Sequence, residues 1–499
     1  MGCATLAFQL LLAHIAGLGG SASGGGAEAK RPPSRIPPPS RLPVRLRLVQ
    51  SEAVSRTRDT STCVSLDWWP AEKCDYGSCP WTNSSLLTAD LSDPLLGSAI
   101  AALAPLHLRV GGSLADQVSF ALSREDGCPP FAVDVTRRIG FTGGCLRLSR
   151  WLEVLSFCER LGCGVLFSVN ALRGRTRDEC QPAALPAKDA RPPCCSSYSG
   201  AWDSSNLLAL LRATAAAGKR NELAGDAGIE AHLSAAEYAR DLLSLRREVA
   251  RSLDPKKLDS AAAARVINAS SSGLVAPAVS ESGGAYNSGQ RGVTDGFVSS
   301  FWFNDLLGAL ARHGHAFGCR QAILGGHYAL LDLRRRQPAP DFYSLLLWRR
   351  LMSPKSLRVV KLKRVLRAAS GLAAAPLLNI SSAEPDGAEE EESGGNHRAG
   401  ITAPLLRAYA HCARSSPGHA AHAASGDDSP TLNAWGGVAV LLLNLAPSIT
   451  HGVGLAGLAR TDAPPPRLDF LLTPTRAGLR APRVALNGDT SSSRPAHAP

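Results

Sequence analysis

The sequence predicts an α/β fold, a (β/α)8 TIM-type barrel followed by a smaller β-rich domain, and three observations predict it. Between about residues 60 and 350, short apolar runs alternate with apolar residues at helical spacing, the pattern of parallel strands joined by crossover helices. From about residue 360 the helical spacing gives way to strand-like runs. At 499 residues the chain is long enough to bury one large core and a second, smaller one.

The elements follow in order. Leu6 to Leu18 is an apolar run and Gly19 to Ser23 supplies small residues, so residues 1–23 read as a secretory signal peptide, although no Lys or Arg precedes the run and His14 interrupts it. Residues 24–55 are rich in Gly, Pro and Arg and read as a disordered lead-in. The barrel is assigned to 56–355. Within it Leu106 to Val110 is a short strand ending at Gly111-Gly112. Trp151, Leu152, Leu155, Cys158 and Leu161 share a helix face, and Gly164 to Val169 follows as a strand. Leu207 to Ala217 is helix-like. Ser234 with Glu237 forms a capping box opening a helix over Tyr238, Leu242, Leu245 and Val249, since the serine hydroxyl and the glutamate satisfy backbone N–H groups reciprocally. Val298, Trp302, Leu306 and Leu310 mark a further helix, stopped at Gly314. Residues 356–499 form the β domain, with strands at Leu405 to Cys412, Val438 to Leu445 and Val484 to Leu486 and an acidic low-complexity insertion around Glu389 to Glu392.

Charge and cysteine usage narrow the function classes. A net charge of +12 favours acidic partners. The arginines are scattered rather than clustered with aromatics, which argues against nucleic acid and for an acidic polysaccharide. Thirteen cysteines become an even twelve once Cys3 leaves with the signal, as expected in a compartment that permits disulfides. Their pairing is not readable. Cys74 with Cys79 and Cys158 with Cys163 lack the two-residue zinc spacing. His313 with His315, and His411 with His419 and His422, sit in Gly/Ala-rich surroundings without acidic co-ligands and read as solvated histidines, so no metal and no cofactor is expected. Asn83, Asn268 and Asn379 open N-glycosylation sequons. No segment has the apolar length of a membrane span, which leaves peripheral association as the one membrane role open. Secretion to the extracellular space or cell wall is the expected location, with lysosome or vacuole and the membrane periphery as alternatives. No Gly-x-Ser-x-Gly elbow, Walker loop or His-Glu-x-x-His is present.

Two stretches carry the chemistry: Asn221-Glu222-Leu223 and Ser280-Glu281-Ser282-Gly283-Gly284-Ala285-Tyr286-Asn287-Ser288-Gly289. Each places a glutamate at a strand-to-loop handover, where a parallel barrel keeps its reactive groups. Paired carboxylates across a cleft are the machinery of glycosidic bond cleavage, one protonated to help the leaving oxygen and one ionised to attack the sugar carbon. The second stretch alone also fits a surface glutamate in a Gly/Ser loop.

That second stretch, with Phe301-Trp302-Phe303, Cys319-Arg320-Gln321, Leu66-Asp67-Trp68-Trp69-Pro70, Cys74-Asp75-Tyr76-Gly77-Ser78-Cys79 and Leu108-Arg109-Val110-Gly111-Gly112, resembles the plant heparanase-like proteins of glycoside hydrolase family 79. The similarity is dense over roughly residues 60–350 and thinner beyond. The resemblance implies a C-terminal β-sandwich beside the barrel and a retaining mechanism with Glu281 as nucleophile and Glu222 as acid/base. Asn221 would hold the sugar 2-hydroxyl, and Tyr286, Asn287 and Tyr328 would touch substrate. For Tyr328 a place in the core is the alternative. Arg109 is a candidate donor to the nucleophile through its fixed charge.

The match has gaps. The family's Trp-Glu-Leu-Gly before Asn-Glu-Leu has no counterpart, nor does its histidine/tyrosine segment. Only 58 residues separate Glu222 from Glu281, where three barrel units need about 90. The sequence therefore predicts an incomplete barrel, with Glu222 on a loop or helix end. The leading reading is a β-glucuronidase-type hydrolase acting on glucuronic-acid-containing glycans, proteoglycan sugars or small glucuronides. A non-catalytic carbohydrate-binding relic with a truncated barrel is the alternative.

Overall fold

The computed structural model describes residues 4–13, 40–137, 139–177, 198–219, 222–224, 244, 278–362, 406–414, 436–446, 449–458 and 467–490. In chain order the principal elements are β1 (Ala4–Ala13), β2 (Ser40–Arg56), β3 (Thr62–Leu66), α1 (Pro94–Leu103), β4 (Leu106–Val110), α2 (Leu148–Leu161), β5 (Cys163–Ser168), α3 (Ser205–Ala216), β6 (Glu222–Ala224) and β7 (Val279–Ser282). They continue with α4 (Phe297–Arg312), β8 (Gly318–Arg320), α5 (Pro340–Leu351), β9 (Met352–Leu362), β10 (Leu406–Ala413), β11 (Gly436–Asn444), β12 (Ile449–Ala456), β13 (Arg467–Pro474), β14 (Val484–Leu486) and β15 (Asp489–Thr490). The described residues fall into two compact units, one drawn from residues 59–294 and 315–338, the other from residues 1–58, 295–314 and 339–490.

The first unit holds a six-stranded sheet in the order β6-β5-β4-β3-β8-β7, every neighbouring pair parallel. This is the succession a parallel barrel shows when its first and last strands meet side by side, β3 against β8. Parallel strands need crossover helices, which cover them and leave them apolar on both faces. Accordingly β3 and β4 are buried at every position. α2 forms where the sequence places it, burying Trp151, Val154, Leu155, Phe157 and Cys158. It stops at Gly162, whose φ of +75° is the left-handed cap that glycine adopts without steric cost. Cys63, Leu166 and Cys319 pack together, and the two cysteines form a disulfide.

β6 corrects one expectation. Glu222 does not sit on a loop or helix end: it opens a strand whose Glu222, Leu223 and Ala224 pair with Leu166, Phe167 and Ser168 of β5. Three residues are too few for a period to register in sequence, so the strand is set by its neighbour. Among the described residues the sheet has six strands rather than eight, with β6 at one edge and β7 at the other. The capping-box helix at Ser234 lies outside the described residues apart from Ser244, which is helical.

The second unit is built on a nine-stranded mixed sheet, β12-β2-β9-β10-β11-β1-β13-β14-β15. After residue 356, β10, β11 and β14 lie close to the predicted strands while β12, β13 and β15 match none of them, and these strands pair into one sheet with two N-terminal strands rather than with each other alone. β2 corrects the disordered lead-in over residues 40–55, residues 24–39 lying outside the described residues: it runs antiparallel to β9 and parallel to β12. The residues explain it, because Val44, Leu46 and Leu48 are buried while Arg45 and Arg47 between them are exposed. That period of two is a half-buried strand, hidden by a composition rich in Pro and Arg. β1, within the span read as a signal peptide, pairs in parallel with β11 and β13. On α4, Ser299 and Ser300 donate to the Asp341 carboxylate of α5, both at 2.8 Å. His411 is another correction. It is a buried strand residue whose Nδ1 lies 2.7 Å from the Ser353 carbonyl and whose ring meets Trp348 edge-on; burial pushes its pKa down to about 4. No cluster of metal-ligating side chains occurs among the described residues, and none of their helices is long and apolar enough to cross a membrane. His419, His422 and the acidic insertion lie outside the described residues.

Candidate active site

Parallel strands present all their carboxyl ends on one side of the sheet, and that is where the polar residues of the first unit gather. Arg109 lies one residue from the end of β4, Asp67 just past β3, Ser168 at the end of β5, Glu281 on β7, and Arg320 and Gln321 at the end of β8. Arg109 Nη1 donates to Glu281 Oε2 at 3.0 Å, with the arginine side chain 3% exposed and the glutamate 33%. The same nitrogen approaches Ser65 Oγ at 3.4 Å. A buried guanidinium gives the glutamate a donor and a fixed positive charge, while partial exposure leaves it reachable.

Asp67 is the residue that sequence reading missed. It is 1% exposed; Oδ1 accepts from the Trp68 amide at 2.6 Å and Oδ2 from Gln321 Nε2. Burial foremost, and then the charge of Glu281, pushes its pKa up to about 7 against an ordinary 3.8, while Arg109 and the two hydrogen bonds pull the other way. The available signal was a carboxylate placed directly after the short run Thr62-Cys63-Val64-Ser65-Leu66. Glycines make room for it. A Cβ on Gly112, whose φ is +136°, would lie 2.2 Å from Asp67 Oδ1, and one on Gly111 would lie 2.3 Å from Ser168 Oγ. Gly112 tolerates no side chain while the carboxylate holds its place, and at Gly111 a side chain would displace Ser168 Oγ or the Arg109 guanidinium.

Tyr328 is buried, with its ring edge-on to Trp81 at 6.3 Å. Burial raises its pKa, the charges of Asp67 and Glu281 add to the effect, and a hydrogen bond to Gln321 opposes it, so the phenol keeps its proton. Tyr286 is 73% exposed. Asn287, at a φ of +50°, donates from Nδ2 to the Tyr76 hydroxyl at 3.3 Å. The structure thus brings Arg109, Glu281 and Tyr328 together with the unforeseen Asp67 and Gln321, and sets Tyr286 and Asn287 at an exposed rim. Glu222 opens β6 in the backbone row that runs through Leu166, Arg109 and Ser65. Asn221 lies outside the described residues, as do Asn268 and Asn379. Asn83 is exposed in a turn. The cysteine pairs set aside as zinc ligands are disulfides, Cys74–Cys79 and Cys158–Cys163, and with Cys63–Cys319 and Cys128–Cys145 they make four among the described residues.

The raised pKa of Asp67 has a measurable consequence. Below pH 3.8 folded and unfolded chains both hold this proton; between there and about 7 only the folded one does. Stability therefore falls as pH rises through that interval and levels off above it. Asp67→Asn removes the titration. Thermal unfolding at pH 4, 5.5 and 7 is expected to show the wild type losing stability relative to the variant, by on the order of one to a few kcal/mol at pH 7. Parallel profiles would mean that Asp67 ionises alike in both states.

The description "Glycosyl hydrolase family 79, N-terminal domain" matches residues 44–257 and 249–308. The chain belongs to glycosyl hydrolase family 79 and is accordingly a glycoside hydrolase. Heparanase-like protein 1 of Arabidopsis thaliana is 30% identical over 87% of this chain and 84% of its own length. The baicalin-β-D-glucuronidase of Scutellaria baicalensis is 29% identical over 62% of this chain and 71% of its own. Among solved structures, a 4-O-α-L-rhamnosyl-β-D-glucuronidase from Fusarium oxysporum aligns at a TM-score of 0.32 and 10% identity, over 62% of this chain and 72% of that one, a likeness too weak to carry an argument.

Proposed function

We propose that the chain is a secreted, retaining hydrolase of the β-glucuronidase type, acting on glucuronic-acid-containing glycans, proteoglycan sugars or small glucuronides. The observation that carries this reading is the Arg109–Glu281 pair at the carboxyl end of the sheet. Glu281 attacks the anomeric carbon as the glycosidic bond breaks, and Glu222 gives its proton to the departing oxygen. Glu222 then takes a proton from water, whose oxygen displaces Glu281 from the sugar. Asn221, Tyr286, Asn287 and Tyr328 are assigned to holding the sugar. The names of the relatives, heparanase-like and glucuronidase, support the substrate class. The four disulfides among the described residues support an oxidising compartment, and the exposed Asn83 supports glycosylation there. Hydrolysis of an aryl β-D-glucuronide, with the first-formed anomer followed by NMR, tests it: β-glucuronic acid is expected first, and the α anomer would exclude retention.

One observation favours a second reading, a non-catalytic glycan-binding protein. β6, the strand that carries Glu222, has a single strand neighbour among the described residues. The two readings share a binding prediction. With a net charge of +12, retention on an acidic polysaccharide column should weaken steeply between low and physiological salt as Coulomb attraction is screened. Salt-independent retention, or a preference for DNA, would remove the electrostatic case for an acidic glycan. Binding without turnover of the aryl glucuronide would select the second reading.

A further inference from the structure

We propose that the disulfide-closed loop Cys74–Cys79 presents Tyr76 as a stacking platform for the sugar residue next to the one held at Glu281, so that the site selects for a glycan chain over a lone glucuronic acid. The inference rests on the glucuronide reading and adds a specificity-determining residue to it. Tyr76 is 84% exposed, and among the described exposed large apolar side chains it and Tyr286 are the aromatic ones. Its φ of +51° is a left-handed conformation uncommon for a bulky residue. Exposure of an aromatic ring and local backbone strain both cost stability, and both fall on one residue, the pattern of positions kept for binding.

The loop is fixed to the catalytic side of the unit. The disulfide closes its ends, and Asp75 and Ser78 exchange backbone hydrogen bonds at 2.8 and 2.9 Å. Ser288, seven residues past Glu281, donates to the Asp75 carboxylate and accepts from Trp81 Nε1 at 2.9 Å. His327 Nε2 lies 3.1 Å from Ser78 Oγ. Asn287 donates to the Tyr76 hydroxyl itself, which ties the ring to the loop that leaves Glu281. Lys73 is engaged elsewhere, with Asp75 at 2.7 Å and over the Trp69 ring. What remains at the rim is an exposed phenol face, tied through its hydroxyl to the residue that follows a second exposed tyrosine, Tyr286. The C–H faces of a pyranose suit such a surface, because they bring apolar area without demanding a hydrogen bond.

Calorimetric titration of the full disulfide-bonded chain with glucuronic acid and with a glucuronic-acid-terminated trisaccharide tests the platform. Tyr76→Ala should weaken the trisaccharide about tenfold, in line with the energy of an aromatic contact, and leave the monosaccharide unchanged. Tyr76→Trp should restore the trisaccharide. Because Tyr76 is exposed, Tyr76→Ala should melt at the wild-type temperature, which separates a lost contact from a disturbed fold. Equal weakening of both ligands, or no change in either, overturns the platform and leaves the glucuronide reading standing. Failure of the wild type to bind either ligand overturns both.

Discussion

Glu281→Gln is expected to abolish covalent labelling by a mechanism-based glucuronide inhibitor and to lower turnover by three orders of magnitude or more. An amide keeps the size of the side chain and its contact with Arg109, but it has no ionised oxygen with which to form the glycosyl bond. Folding should be little affected, since the carboxylate is one-third exposed, so loss of activity at an unchanged melting temperature is the diagnostic combination. Glu222→Gln should behave differently. Substrates with good leaving groups, which need no proton, should retain far more activity than natural glycosides. If Glu281→Gln still labels and turns over normally, Glu281 is not the nucleophile. If Glu222→Gln slows both substrate types alike, Glu222 does not supply the proton.

Replacing Cys63 and Cys319 together by alanine should be the most destabilising change outside the reacting groups. The two residues sit directly opposite one another on β3 and β8, and their disulfide closes a loop with a sequence separation of 256. Constraint of the unfolded chain grows with loop length, giving a loss of about 2–5 kcal/mol. For a protein of this size the melting temperature should fall by roughly 2–5 °C. The Cys158–Cys163 bridge is a control, because it closes a separation of only 5 and should cost less than half as much. Equal losses from the two pairs would show that local packing, not chain constraint, is what the long bridge supplies.

Legibility in the sequence varied with the range of the interaction. α2 was readable because Trp151, Leu155 and Cys158 recur at helical spacing and Gly162 stops the helix; β4 was readable as an apolar run ending in two glycines. Glu281 and Arg109 were both legible, one from its Gly-rich loop and the other from its place on a strand. β6 was not, for three residues carry no period. β2 is hidden although Val44, Leu46 and Leu48 alternate with arginines, because the stretch that contains them is dominated by Pro and Arg. Composition hides His411 too, its alanine-rich surroundings being those of a buried strand. Asp67 carried a faint signal, an acid after a short run of strand-compatible residues, and no signal at all for its raised pKa, which arises from burial and from Glu281.

By itself the sequence determined the local elements and the kinds of side chain that stand at their ends, because helical and strand periods, glycine stops and turn residues act over a few positions. Only the tertiary structure decided which ends adjoin. The order β6-β5-β4-β3-β8-β7 brings Arg109 to a glutamate 172 residues away, sets Asp67 against Gln321 across 254, and draws β2 into a sheet with strands more than 300 residues later. Such pairings are chosen by which edges and apolar faces can be satisfied together once the chain closes on itself, and a contact at that separation leaves no period in the sequence to be read.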